Sequence, residues 1–185
     1  MSDPSAVLPC ALLIARPQPD EYAPYHGRYI SLIQGNDIIS TLESQRRQMM
    51  LLLCGRDQAD GDLRYAPGKW TVKQVLGHVC DTERIFAYRM LRIARGDRTP
   101  IEGFEQDDYV RNGPFGASPL PEIIDDYLAV RRATLTLLRN LDAQAWMHRG
   151  IANQCEISVR AIAYLAAGHE LHHRRILEQT YFASR

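Results

Sequence analysis

The sequence predicts an all-α protein: an antiparallel four-helix bundle with an irregular N-terminal arm and a long crossover loop between helices 2 and 3. Four long segments carry apolar residues at helical spacing. Capping residues and glycines stand at their ends. We find no alternation of apolar and polar residues strong enough to build a sheet. The length of 185 residues and the apolar fraction of 45% are typical of one globular domain.

The N-terminal part of the chain is predicted to lack a long helix. Its prolines, at positions 4, 9, 17, 19 and 24, interrupt any regular element. We therefore divide the chain into an extended N-terminal arm over residues 1–35 and a four-helix bundle domain over residues 36–182.

The first two helices follow the arm. Asn36 is a suitable N-cap for the first helix, and Gly55 ends it. Thr71 and Gln74 have the spacing of a capping box, which predicts the start of the second helix. Gly96 is the expected C-cap of that helix.

A connection over residues 97–117 separates the second helix from the third. It is longer than most connections, which indicates a crossover or a functional loop. Its aromatic residues Phe104, Tyr109 and Phe115 are candidates for lining a pocket, and simple packing on the bundle is the equal alternative.

The last two helices also have recognisable starts. Ser118 and Pro119 fit the N-cap and first turn of the third helix, whose apolar residues continue to Leu141. Ser158 is the expected N-cap of the last helix, which spans about Val159 to Tyr181.

Charge and cysteine content exclude several classes of protein. The 22 basic and 22 acidic residues balance, so we expect no nucleic-acid partner. The four cysteines are scattered without a C-x-x-C pair, which predicts reduced thiols. The apolar stretch 6–15 is interrupted by Pro9 and follows no basic residue, so we expect no signal peptide and no membrane span. We therefore expect a cytoplasmic protein.

The last helix carries the strongest chemical signal, the run HELHH at 169–173. His169 and His173 are four residues apart, so both imidazoles lie on one helix face. Their stripe also holds Ile162 and Leu165, so this face is predicted to point into the bundle. Two adjacent buried imidazoles need hydrogen-bond partners or a metal ion, whereas a single one is more often an ordinary core residue. His172 lies off the stripe.

His78 on the second helix is the best candidate for a third ligand. The small residues Gly77 and Gly168 predict a close approach of the two helices that carry the histidines. Three histidines with an open position are typical of a catalytic metal site. Asp81 and Glu83 are candidates for accepting hydrogen bonds from the imidazoles, and surface salt bridges are the alternative for both.

A metalloprotease is the rival interpretation of the same histidines. His169, Glu170 and His173 match the pattern H-E-x-x-H, in which Glu170 would be the catalytic general base. The extended pattern, however, requires a third histidine where Gln179 stands, and no sheet is predicted to bind a substrate strand. We therefore do not expect a zincin protease.

Two motifs resemble the DinB/YfiT-like superfamily: WTVKQVLGHVCDTE at 70–83 and GHELHH at 168–173. The resemblance extends over roughly residues 16–182. It implies a bacterial four-helix bundle, often a homodimer, in which three histidines bind a divalent metal such as zinc or nickel. Matched to this sequence, those ligands are His78, His169 and His173.

The resemblance also implies two classes of function. Relatives include transferases and isomerases that use the thiols mycothiol or bacillithiol, and metal-dependent hydrolases. The leading hypothesis is a metal-dependent enzyme, of the thiol S-transferase or hydrolase type, that acts on a small electrophilic molecule with a low-molecular-weight thiol as cosubstrate, or with water. The alternative is a non-catalytic metal-binding or stress-related dimerisation module. An open coordination position that faces a pocket would favour the enzyme.

Overall fold

A computed structural model describes residues 14–183, so the start of the predicted arm lies outside the described residues. The all-α fold class is confirmed, and a small two-stranded sheet is added to it. The elements in chain order are α1 (Gly27–Ile30), α2 (Ile38–Leu53), α3 (Gln58–Gly61), α4 (Val72–Ala94), α5 (Gln106–Asn112), α6 (Leu120–Arg139), α7 (Ala143–Met147), β1 (Arg149–Ala152), β2 (Cys155–Ser158) and α8 (Val159–Ile176), which continues as a π-helical turn over Leu177–Tyr181.

The caps of α4 and α8 follow the sequence prediction. The Thr71 side chain accepts a hydrogen bond from the Gln74 amide, and the Ser158 hydroxyl accepts one from the Ala161 amide. The other two long helices begin slightly later than predicted. Asp37, not Asn36, caps α2, because its carboxylate accepts the Ser40 amide.

The start of α6 is shifted for a similar reason. Pro119 is the N-cap residue, not the first helical residue, and the Ser118 hydroxyl instead donates to the carbonyl of Pro114. Ser118 therefore belongs to the end of the crossover loop.

The hairpin of β1 and β2 was not predicted. Its strands have four residues each and pair antiparallel, with Arg149 opposite Ser158. The turn places Asn153 and Gln154 at positive φ, as tight two-residue hairpin turns require. Strands this short carry too few residues for an alternating pattern to stand out.

The four long helices form the bundle, with α6 and α8 each packed against both α2 and α4. α4 and α6 run parallel, as two contacts between them show. Lys73, near the start of α4, donates a hydrogen bond to the Gly116 carbonyl just before α6 begins, and Glu83 pairs with Arg131 further along both helices. α4 and α8 run antiparallel, since residues near the start of α4 meet the end of α8. The predicted crossover is thus present, and it returns the chain to the end of the bundle where α4 began. The helix directions are therefore mixed, not antiparallel throughout.

The arm residues that the structure describes pack against α8. They are not extended throughout, since they form two short 3₁₀ turns and helix α1. The buried carboxylate of Glu21 pairs with Arg160 and accepts a hydrogen bond from the Ser158 hydroxyl. The arm is therefore joined to the first turn of α8 by a buried ion pair.

The core consists of two clusters of buried apolar side chains at the two ends of the bundle. One includes Phe86 and Met90 of α4, and the other includes Val75 and Val79 of the same helix. His78 lies beside the boundary between them. Within the described residues, no helix is both long and apolar enough to cross a membrane.

Candidate metal centre

Three histidine side chains, which we call the histidine cluster, meet between α4 and α8. His78 lies on α4, and His169 and His173 lie one turn apart on α8. Nε2 of His169 is 3.0 Å from Nε2 of His78 and 3.2 Å from Nε2 of His173. One ring nitrogen of each residue lies within 4.8 Å of the others. The structure thus brings together the three histidines that the sequence selected.

The two glycines beside the cluster have a different role from the one predicted. A Cβ on Gly168 would lie 2.1 Å from the backbone oxygen of Tyr29, and a Cβ on Gly77 would lie 2.3 Å from the Phe115 ring. They therefore make room for the arm and for the crossover loop, and not for contact between α4 and α8. As a result, the Tyr29 ring packs edge-on against His169 and His172.

Burial keeps the cluster uncharged at neutral pH. His78 is 2% exposed, and desolvation lowers its pKa to about 4. The pKa of His173 is lowered to about 3, first by burial and then by the neighbouring histidines. The pKa of His169 is held well below its usual value for the same reasons. Neutral imidazole is the form that binds a metal ion.

The polar neighbours of His78 differ from the predicted ones. Its Nδ1 lies 3.4 Å from the Thr82 hydroxyl, one helical turn along α4. Asp81 pairs with Arg84 on the surface, and Glu83 pairs with the buried Arg131. The alternative of a surface salt bridge therefore holds for Asp81, whereas the ion pair of Glu83 is buried. Thr82 is the residue placed to orient His78.

Glu170 lies beside His169 in sequence but makes no hydrogen bond to the imidazoles. It is 1% exposed, neither carboxylate oxygen has a hydrogen-bond partner among the described residues, and Arg174 lies 3.9 Å away. Burial raises its pKa to about 7, against the influence of Arg131 and Arg174. Successive helical residues are about 100° apart, which explains why Glu170 points away from the cluster.

Two surface cavities reach the histidine cluster from different sides. The first, which we call the tryptophan cavity, has a volume of about 270 Å³ and includes Trp70, Asp107 and His173 in its lining. The second, the tyrosine cavity, has a volume of about 350 Å³ and includes both His78 and His169. Its other lining residues include Tyr25, His26, Arg28, Tyr29, Phe86, Phe104 and Glu105. The cluster is therefore an open site and not a closed one.

The three pocket candidates in the crossover loop have different positions. Phe104 lines the tyrosine cavity, and Tyr109 packs on the Phe104 ring at a centroid distance of 5.1 Å while remaining half exposed. Phe115 is buried against Gly77 and belongs to the core.

Sequence reasoning missed the residues that the arm and the loops supply. His26 of the arm lines the tyrosine cavity, although no helical period in the sequence predicts that it points inward. Tyr29 and Trp70 contact the histidine rings, Trp70 at 5.0 Å from the His78 centroid. The available signal was Gly168, whose missing side chain leaves room for a neighbouring backbone. The arm has no period that would show which of its residues face inward.

The donor set fits a divalent metal ion. Three nitrogens placed tetrahedrally at about 2.0–2.1 Å from one zinc ion would be about 3.4 Å apart, and two observed separations are 3.0 and 3.2 Å. Hydrogen bonding alone accounts poorly for this arrangement, because Nε2 of His169 faces two other Nε2 atoms and carries at most one proton. Imidazole is a suitable ligand for zinc, nickel and similar ions.

Comparison with known proteins supports the same architecture. The solved structure of YfiT from Bacillus subtilis, described as a probable metal-dependent hydrolase with an unusual four-helix bundle topology, matches with a TM-score of 0.71 at 17% identity, over 82% of this chain and 89% of that one. A mycothiol-dependent maleylpyruvate isomerase matches with a TM-score of 0.64 at 12% identity, over 78% of this chain and 61% of the isomerase. None of the curated proteins matches the chain.

These similarities establish the fold, and the family follows from the sequence itself. The family model of the DinB superfamily matches residues 41–177. That range contains α4, α6 and α8, all of α2 except its first three residues, and all three members of the histidine cluster. The chain therefore belongs to the DinB superfamily.

Proposed function

We propose that the protein is a metal-dependent enzyme in which His78, His169 and His173 bind a divalent ion, zinc or nickel, and a low-molecular-weight thiol or water attacks a small electrophilic substrate beside it. The observation that carries this proposal is the position of the histidine cluster, which opens to two surface cavities. When bound, such an ion lowers the pKa of a coordinated thiol or water, which supplies a nucleophile at neutral pH.

The side chains around the cluster would bind and orient the two reactants. Trp70 and Tyr29 pack edgewise or tilted against the histidine rings and so restrict their rotation. Thr82 positions the His78 ring. The two cavities give separate approaches to the cluster, as a reaction between a thiol and a second small molecule requires.

The choice of thiol or water draws on the structural relatives. One is named as a probable metal-dependent hydrolase, and the other as a mycothiol-dependent isomerase. We therefore propose a transferase of the thiol S-transferase type or a hydrolase, and not a zincin protease, since Glu170 faces away from the cluster.

Metal analysis of the purified protein is the first test. We expect about one zinc or nickel ion per chain in the wild type and none in His78→Ala. His172→Ala is the matched control, because His172 adjoins His173 but lies outside the cluster, and it should keep the ion. Wild-type protein without metal, or equal metal content in the wild type and both variants, would refute the site.

A screen for activity is the second test. Mycothiol, bacillithiol and water would each be offered with small electrophiles, and consumption of the electrophile measured. We expect turnover that disappears in His78→Ala and persists in His172→Ala. Turnover that His78→Ala retains would refute the proposed mechanism.

A non-catalytic dimerisation module is the second candidate, and an apolar groove between α2 and α6 favours it. The groove has a volume of about 590 Å³ and includes Met50, Leu51, Ile124 and Leu128, with Leu51 76% exposed. We propose that a second copy of this chain covers it. Leu51→Glu should convert a dimer into a monomer by light scattering, whereas Leu91→Glu, at an exposed leucine outside the groove, should not. Metal binding without turnover, together with such a dimer, would favour the module.

The compartment is also proposed. Cys54, Cys80 and Cys155 are free thiols, and burial raises the pKa of the Cys80 thiol. Free thiols are usual in a reducing compartment, so we place the protein in the cytoplasm. The balanced net charge favours small-molecule partners over nucleic acid.

A further inference from the structure

Arg89 on α4 is a buried cation for which residues 14–183 offer no carboxylate partner. It is 8% exposed, and its Nη2 donates to the Glu102 carbonyl at 2.9 Å. Its Nε is buried and has no hydrogen-bond partner there. An arginine cannot release its proton, and a buried charge without a counter-ion is costly. An anion from outside the chain would resolve this imbalance.

The other buried arginines show what is missing at Arg89. Arg131 makes two hydrogen bonds to the carboxylate of Glu83, and Arg160 pairs in the same way with Glu21. In both cases the counter-ion is built into the fold. Only at Arg89, among these three buried guanidinium groups, is the carboxylate absent.

Arg89 lies on the helix face that forms one wall of the tyrosine cavity. Positions 78, 82, 86 and 89 follow the helical period, and the first three line the cavity. Helical side chains lean toward the N-terminus of their helix, which for Arg89 is the direction of Phe86 and the cavity. At 1.5 Å per residue, the Cα atoms of His78 and Arg89 are about 16 Å apart along the axis. Arg89 is outside the lining itself and lies about one turn beyond Phe86, behind the part of the cavity that is far from the histidine cluster.

The charge of Arg89 affects the pKa values of two cavity-lining residues of the arm. Burial, then Arg89 and Arg28, lower the pKa of His26 to about 4, and Arg89 opposes the effect of burial on the Tyr25 pKa. Nδ1 of His26 is buried without a hydrogen-bond partner in the described chain. The charge of Arg89 therefore acts on a phenol and on an unsatisfied imidazole nitrogen that belong to the cavity lining.

We propose that His26 and Tyr25, backed by the charge of Arg89, form a subsite for the carboxylate of a small organic acid that occupies the tyrosine cavity and reaches toward the histidine cluster. A volume of about 350 Å³ suits a small molecule. Arg28 adds a second cation to the lining, and the one lining acid, Glu105, has an exposed side chain. If the protein is the enzyme proposed above, this subsite makes small organic acids its substrate class, and that part of the inference rests on the proposed function.

Binding of glutarate, with uncharged glutaramide as the control ligand, tests the subsite. Calorimetry and thermal melts would use the protein as purified and again after removal of metal by a chelator, because a metal ion also binds carboxylates. We expect glutarate, and not glutaramide, to raise the melting temperature in both preparations. Arg89→Met should weaken glutarate binding at least tenfold. Arg92→Met, at a partly exposed arginine on the same helix that pairs with Asp97, should bind glutarate like the wild type.

The stability of the variants without ligand gives an independent readout. Arg89→Met removes an uncompensated charge, so its melting temperature should equal or exceed that of the wild type. Arg89→Gln keeps a donor for the Glu102 carbonyl and should also lose the glutarate response, which decides the question if Arg89→Met does not fold. Glutarate binding within twofold of wild type in Arg89→Gln, or in a folded Arg89→Met, would overturn the subsite.

The two proposals fail separately. Loss of the glutarate response in Arg89→Gln with no turnover in any thiol or water assay would retain the subsite and refute the enzyme. Normal metal content and turnover with an unchanged glutarate response in Arg89→Gln would refute the subsite alone.

Discussion

Two polar clusters lie inside the same helical bundle, and they differ in how their hydrogen bonds are satisfied. In the first, which we call the arginine–glutamate cluster, Arg131 of α6 binds both carboxylate oxygens of Glu83 on α4 at 2.8 and 2.7 Å. Arg131 also donates to the Leu42 carbonyl and to Gln45 of α2, and Gln45 donates to the Ala167 carbonyl of α8. This cluster therefore links all four long helices.

The histidine cluster includes His78 of the same helix, little more than one turn from Glu83. Its ring nitrogens, however, face one another and not an oppositely charged partner. Thr82 is the polar side chain that contacts it, and two cavities open onto it. The arginine–glutamate cluster is complete without a ligand, whereas a metal ion is proposed to complete the histidine cluster. The comparison separates a polar group that stabilises the fold from one that is available for chemistry.

Breaking the arginine–glutamate cluster should have the largest effect. Arg131→Met leaves the Glu83 carboxylate buried without a counter-ion, and the free energy of unfolding should fall by about 3–5 kcal/mol in urea denaturation. The exposed pair of Arg139 and Glu43 supplies the control, and Arg139→Met should cost at most about 1 kcal/mol. Replacing both Arg131 and Glu83 by apolar residues should cost less than Arg131→Met alone. Equal losses in the Arg131 and Arg139 variants would contradict the comparison.

Glu170 should give a pH-dependent effect of intermediate size. Its pKa is raised from about 4.5 to about 7, so the folded protein retains a proton that the unfolded chain releases between these values. The stability from this proton is fully present below about pH 4.5 and is lost as the pH rises through 7. Glu170→Gln cannot lose it, so its stability relative to wild type should increase from pH 5 to pH 8, by about 3 kcal/mol at most.

Denaturation curves at several pH values would measure this difference. Metal content should be unchanged in Glu170→Gln, because the side chain lies outside the histidine cluster. A difference in stability that does not vary with pH, or metal-dependent cleavage of casein that vanishes in this variant, would show that the role of Glu170 is different.

Opening the histidine cluster should cost less stability than breaking the arginine–glutamate cluster. His169→Ala should abolish metal binding but lower the free energy of unfolding by only about 1–3 kcal/mol, since the apolar core remains. Cooperative helical unfolding should persist in this variant and in chelator-treated wild type. Its loss in either would make the ion structural and would favour the non-catalytic module.

The smallest expected effect concerns the orientation of one ring. Thr82→Val removes the hydroxyl that contacts Nδ1 of His78 while keeping the shape of the side chain. We expect metal affinity to fall about tenfold, the lower end for loss of such a partner, with little change in stability. A competition titration with a chelating dye would measure the affinity. Ser in place of Thr82 should restore most of it.

The sequence was sufficient for the bundle and for the pair on α8, because both depend on local periodicity. The caps at Thr71 and Ser158 and the spacing of His169 and His173 are properties of single helices. The third histidine, His78, lies on another helix. It could be selected only because small residues suggested a close approach of the two helices and because the family resemblance includes it.

The rest depends on contacts between distant parts of the chain. Gly168 gave a true signal of close approach, but its neighbour is the Tyr29 backbone, which lies far away in sequence. The same holds for His26 in the tyrosine cavity, since an arm without a helical period does not show which residues face inward. The hairpin turn at Asn153 was missed because no glycine marks its positive φ.

The position of α8 in the chain has a consequence for biosynthesis. Two of the three histidines lie on this last helix, which packs against α4, α2 and the arm. A nascent chain that has not yet released α8 from the ribosome would hold His78 without its two partners, and contacts this distant in sequence are slow to form. Binding of the ion would therefore be a late event, which can occur only after the whole bundle has been translated and α8 has packed against α4.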